Sequence, residues 1–184
     1  RGRTVRPARS WLMLFGGLVL GATLMLVGLA QAGRLAPERP AVLVALAQLL
    51  ETEHRRVDLL LERGDVAGAI AALESLREQR WPSLDEAGEA AVQMKHDVYG
   101  RLLRLRLDHP EVDAKDPEAL LAIAREGLGD GYRDLDVNPF TARLVALQGE
   151  VFERLDRDDD ALGVYEQALE MNRLLLDREL GGAP

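Results

Sequence analysis

The sequence predicts an all-α protein: one transmembrane helix followed by a small array of helical hairpins, about six helices in all. Three observations carry that expectation. A charge-free apolar stretch follows four arginines near the N-terminus, and Ala, Leu, Glu and Arg recur afterwards at spacings of three and four. Val, Ile and Thr nowhere form the period-two alternation of a strand.

Residues 1–10 form a basic tail with Arg1, Arg3, Arg6 and Arg9 and no acid. From Trp11 to Ala32 no side chain is charged. As a helix rising ~1.5 Å per residue this segment extends about 33 Å, enough to cross a hydrocarbon core of roughly 30 Å. The arginines before it place the N-terminus in the cytoplasm, and Trp11 suits the interface. The domain that follows is expected in the periplasm of a bacterium, held to the inner membrane by a single pass. Ala30-Gln31-Ala32 offers a small-x-small cleavage site, but the apolar run before it is longer than a signal peptide requires, so the anchor is read as retained. Gly17 and Gly21 form a GxxxG pair and Gly28 continues near the same face, a stripe where a second membrane helix could pack closely. Residues 33–40, with Pro37 and Pro40, read as a stiff linker.

The repeat domain is expected over 41–178, with a flexible tail at 179–184. A first helix near 41–63 uses Leu43, Leu46, Leu50, Val57, Leu60 and Leu61, and Gly64-Asp65 ends it and caps the second, near 66–80. Ser83-Leu84-Asp85-Glu86 has capping-box spacing and should open a third helix reaching Asp108, before His109-Pro110. Asp116-Pro117-Glu118 and Asn138-Pro139 each join a cap to a proline at the first helical position, opening the fourth and fifth helices. Asp158 to Asp160 open a sixth, expected to pack through Leu162, Tyr165, Leu169 and Leu176.

Six helices across short breaks make three hairpins, which invites a search for repeats. In the last pair, Gly149 and Phe152 stand three apart as a small and an aromatic residue, and Ala161, Tyr165 and Ala168 form an Ala-x-x-x-aromatic-x-x-Ala element. On these residues the pair resembles a tetratricopeptide repeat. In the first pair Ala69, Leu73 and Leu76 match only the second-helix half of that pattern, and in the middle pair Gly100 and Leu103 fit loosely. Ala69 and Ala161 are 92 residues apart, or 46 per unit, so the repeats are elongated relative to the usual ~34. The resemblance implies a protein-binding concave face lined by the first helix of each pair. Glu53, Arg56, Gln93, Asp97 and Gln148 are candidates for it, and Trp81, beside Pro82, is a further candidate anchor.

Composition narrows the chemistry. The chain of 184 residues has no Cys, which excludes disulfides, thiolate metal sites, a lipidated cysteine and covalent haem attachment. Net charge is −8 overall, and beyond the span 19 basic residues face 31 acids, a balance of −12. Such a domain is repelled by nucleic acid and by anionic lipid headgroups, which leaves proteins as partners. His54, His96 and His109 form no ligand spacing and read as surface or capping residues. Asp134 to Asn138 opens like a calcium loop, but Pro139 stands where the loop needs Gly and Val145 where it needs Glu. No catalytic residue, metal or cofactor is expected. The expected function is therefore a membrane-anchored scaffold for protein–protein interaction, an accessory subunit or assembly factor whose partners meet both the membrane helix and the repeat domain. The alternatives are a small periplasmic ligand carrier or enzyme, or a regulatory repeat protein facing the cytoplasm.

Overall fold

Local chemistry at the helix starts sets where the chain turns. In the computed structural model, which describes residues 40–112, 116–129 and 137–181, all regular structure among the described residues is helical. The helices are α1 (Pro40–Glu62), α2 (Val66–Arg77), α3 (Leu84–Asp108), α4 (Pro117–Leu128), α5 (Pro139–Arg154) and α6 (Asp158–Gly181). The expected membrane helix at 11–32, with Gly17, Gly21 and Gly28, lies outside the described residues, as do 130–136 of the acidic loop. No helix among the described residues is long and apolar enough to cross a membrane.

Three caps satisfy amide groups that have no partner inside the helix. The Asp65 carboxylate accepts from Gly68 N at 2.9 Å, Asp116 from Glu118 N at 3.2 Å and Asn138 from Thr141 N at 2.9 Å. Pro40, assigned to the linker by sequence, instead begins α1, where its missing N–H is no loss. Gly64 turns the chain between α1 and α2 with φ of 75°, a left-handed conformation that a β-carbon disfavours. The third helix is not the unbroken element expected from Ser83. Gly88 takes φ 68° and ψ −170°, conformations open only to glycine, and separates its first turn from the rest. The C-terminal boundary also moves: α6 continues through Gly181, past the tail expected from residue 179.

The helices pack in two layers. α1 meets α3 and α3 meets α5, and each of these also packs on its even-numbered neighbours, whereas the principal contacts of α2, α4 and α6 are with the helices that flank them in sequence. The odd helices are thus an inner row and the even helices an outer one, a helical-repeat packing. One continuous core joins the rows through Leu73 and Leu76 of α2, Val98 and Leu102 of α3, Leu121 of α4 and Leu144 and Leu147 of α5.

The face of α6 departs from the sequence expectation. Ala161, Val164, Ala168 and Met171 are buried, while Leu162, Leu169 and Leu176 are 59%, 50% and 56% exposed. The reason is close packing. α6 approaches α5 through small residues, and Tyr165 lies directly over Gly149, so rolling the larger leucines inward would push the two helices apart. Phe152 is buried against this contact, with the Arg157 guanidinium 4.6 Å from its ring centre.

Candidate functional site

The inner row forms a groove of about 350 Å³. Its walls come from two helices in the same register: Ala47, Leu50, Glu51 and His54 of α1, and Ala90, Gln93, Met94 and Asp97 of α3. Each set follows the i, i+3, i+4, i+7 spacing that keeps side chains on one helical face. Phe140, 38% exposed at the start of α5, closes the end. The floor is therefore apolar, with Leu50, Met94 and Phe140, and acids stand at its edge.

Polar pairs cross between the inner helices at and beside the groove. His54 Nδ1 stands 3.7 Å from Asp97 Oδ2, and Arg101 Nη2 stands 3.3 Å from Asp58 Oδ1. Further along, Arg104 grips Glu150 through both of its terminal nitrogens, at 2.9 and 2.5 Å. Burial, reinforced by the Arg101 charge, lowers the His54 pKa against the pull of Asp97 and Asp58, and its Nε2 is enclosed without a hydrogen-bond partner. His54 is thus neutral at pH 7, and the acids of the groove lining, Glu51 and Asp97, dominate its field.

Of the residues singled out from sequence, Gln93 and Asp97 meet in this groove. Glu53 and Arg56 lie on α1 outside its lining and pair with each other at 3.3 Å. Trp81 is half-buried against the core, with its indole nitrogen enclosed. Gln148 must be withdrawn as a surface residue, because α5 turns it inward to 1% exposure. The sequence reading missed Glu51, His54, Met94 and Phe140. The signal that could have found them is the shared spacing of the two wall sets, offset by 43 residues, the same separation that joins Asp58 to Arg101.

A larger cleft of about 490 Å³ lies between α2 and the turn after α3, lined by Ile70, Glu74, Arg106 and Val112. Its chief charges already engage each other, since buried Arg106 contacts Glu74, so the groove is the better candidate surface. His96 also differs from its expected surface placement. It is 1% exposed, and its Nδ1 lies 2.7 Å from Thr141 Oγ1. The Thr141 oxygen accepts from Asn138 Nδ2 at 2.8 Å, which leaves its proton for the imidazole. This chain of bonds ties α3 to the cap of α5. No cluster of three or more potential metal ligands occurs among the described residues. Comparison with protein families, curated proteins and solved structures returns no match to this chain.

Proposed function

We propose that this chain is a membrane-anchored protein-binding scaffold, an accessory subunit or assembly factor of a larger inner-membrane complex. The helix at 11–32 holds it to the bilayer with the repeat domain in the periplasm, and the Gly17, Gly21 and Gly28 stripe packs against a membrane helix of the complex. The tetratricopeptide-like pattern of Gly149, Phe152, Ala161, Tyr165 and Ala168 fits such a role. The observation that carries the reading is the groove itself, in which inner helices of three hairpins converge on an apolar floor rimmed by acids. A partner segment that seats one apolar side chain on Leu50, Met94 and Phe140, with lysine or arginine beside it for Glu51 and Asp97, matches both features.

A photo-crosslinking residue placed at exposed Ala90 of the full chain tests this in intact membranes. Capture of a defined membrane-complex subunit through a basic, apolar segment is the expected result. Absence of protein adducts at Ala90, together with purification as a lone protein in mild detergent, would sink the proposal. Reporter fusions at the C-terminus test the topology separately, and cytoplasmic reporter activity would overturn the periplasmic placement.

A further inference from the structure

The last helix carries a surface that the groove does not use. Leu162, Leu169 and Leu176 recur every seventh residue on α6, all at least half exposed, and Leu180 extends the line at 72% exposure. The face of α6 turned away from α5 thus presents leucines at the spacing of one side of a coiled-coil seam.

We propose that this stripe pairs α6 with α6 of a second copy of the chain, antiparallel, about a twofold axis at Leu169. The even spacing makes the stripe its own complement: with Leu169 facing its symmetry mate, Leu162 meets the partner's Leu176, and Leu176 the partner's Leu162. A twofold contact requires this self-matching.

Charge chooses the direction. Glu166 and Arg173 flank the stripe on one side, about equally far from Leu169 in opposite directions along the helix. In the antiparallel pair each falls beside the opposite charge of the partner, while in a parallel pair Glu166 and Arg173 would lie across from Ala161 and Ala168 of the partner and meet no opposite charge. The existing contact of Arg173 with Glu170 is long, at 3.8 Å, between side chains about two-thirds exposed, and exchanges readily for a new one. Antiparallel pairing also opposes the two helix dipoles.

The chain lacks cysteine, so single substitutions report geometry directly. In the full chain in native membranes, Leu169→Cys is expected to form a disulfide-linked dimer on mild oxidation. Leu162→Cys and Leu176→Cys, whose twofold mates stand roughly 21 Å away along the helix at ~1.5 Å per residue, should crosslink only when the two are coexpressed. Ala122→Cys on exposed α4 serves as the collision control and should remain uncrosslinked. Adding Glu166→Arg should lower the Leu169→Cys yield at least about threefold, and adding Arg173→Glu as well should restore it. Self-crosslinking of Leu162→Cys as strong as that of Leu169→Cys would overturn the arrangement in favour of parallel helices. Crosslinking at no stripe position beyond the Ala122→Cys control, or no recovery on charge exchange, would overturn it altogether. Circular dichroism of each variant separates loss of pairing from loss of fold.

Discussion

The ring of Tyr165 lies so close above Gly149 that a β-carbon on residue 149 would stand 2.5 Å from Cε1. Tyr99 covers Gly127 in the same way, with its own β-carbon 2.9 Å from the added atom. The two contacts differ in what can yield. Tyr165 is half-buried and meets residue 149 with the outer edge of its ring, whereas Tyr99 is 1% exposed, meets residue 127 with its own β-carbon, and donates its hydroxyl to Glu126 Oε1 at 2.6 Å.

Substitution by alanine should therefore separate the glycines. Overpacking costs about 1–3 kcal/mol, and the better helix propensity of alanine returns up to about 1 kcal/mol. Gly127→Ala is expected to destabilise by about 2 kcal/mol and Gly149→Ala by about 1 kcal/mol or less. At Gly100 the nearest side-chain atom, Leu147 Cδ1, would be 3.9 Å away, so Gly100→Ala should stabilise by about 0.5–1 kcal/mol. Denaturant titrations followed by circular dichroism would order the three variants, and equal losses at all three positions would contradict the packing argument.

Acidification should weaken the fold through His96. Burial, assisted by the Lys95 charge and opposed by a hydrogen bond to the Gly127 backbone, lowers its pKa from 6.5 to about 4. The unfolded chain therefore binds a proton between those values while the folded chain does not. The stabilisation is complete above pH 6.5 and is lost progressively as pH falls toward about 4, by a total on the order of 3 kcal/mol. His54, lowered in the same direction, adds to the loss. His96→Gln should flatten the profile between pH 6.5 and 4, and an unchanged slope in that variant would assign the effect elsewhere.

The Arg104–Glu150 pair should respond to geometry more than to charge. Arg104→Lys keeps the charge but loses the fork that meets both carboxylate oxygens at 2.9 and 2.5 Å. Both side chains are about one-third exposed, so water screens the pair and the expected cost is about 0.5–1 kcal/mol. Glu150→Gln in the Arg104→Lys background should add less than it does alone, and strict additivity of the two changes would show that the residues are not coupled.

Groove substitutions should alter binding without altering stability. Phe140 and Glu51 are exposed in the unbound chain. Phe140→Ala combined with Glu51→Lys is expected to lower partner capture at Ala90 roughly fivefold or more, with an unchanged melting curve. Unchanged capture would dissociate the groove from partner binding.

The helix starts were legible because their chemistry is local: Asp65, Asp116 and Asn138 bond to amides two or three residues away. The buried polar residues were not, because their partners come from distant segments. His96 meets Thr141 45 residues on, and Arg106 reaches back to Glu74. Hydrophobicity also misled at α6, where leucine outranks alanine as a core residue until the narrow separation from α5 is known. The groove was legible only in part: Gln93 and Asp97 were named for the concave face, but the period was measured on the outer helices, where Ala69 and Ala161 give 46 residues per unit, while the walls of the groove repeat at 43. The inner helices align Asp58 with Arg101 at an offset of 43 and Arg104 with Glu150 at 46.

The two-layer arrangement has a mechanical consequence. Each of α2 and α4 packs on the inner helix of the following hairpin, and Arg77 of α2 reaches Glu126 of α4 at 3.0 Å, so neighbouring hairpins are tied across the back of the array. The pairs Asp58–Arg101 and Arg104–Glu150 tie the same junctions on the inner row. A segment entering beside Met94 therefore meets walls braced from both rows, and its binding is expected to leave their spacing unchanged.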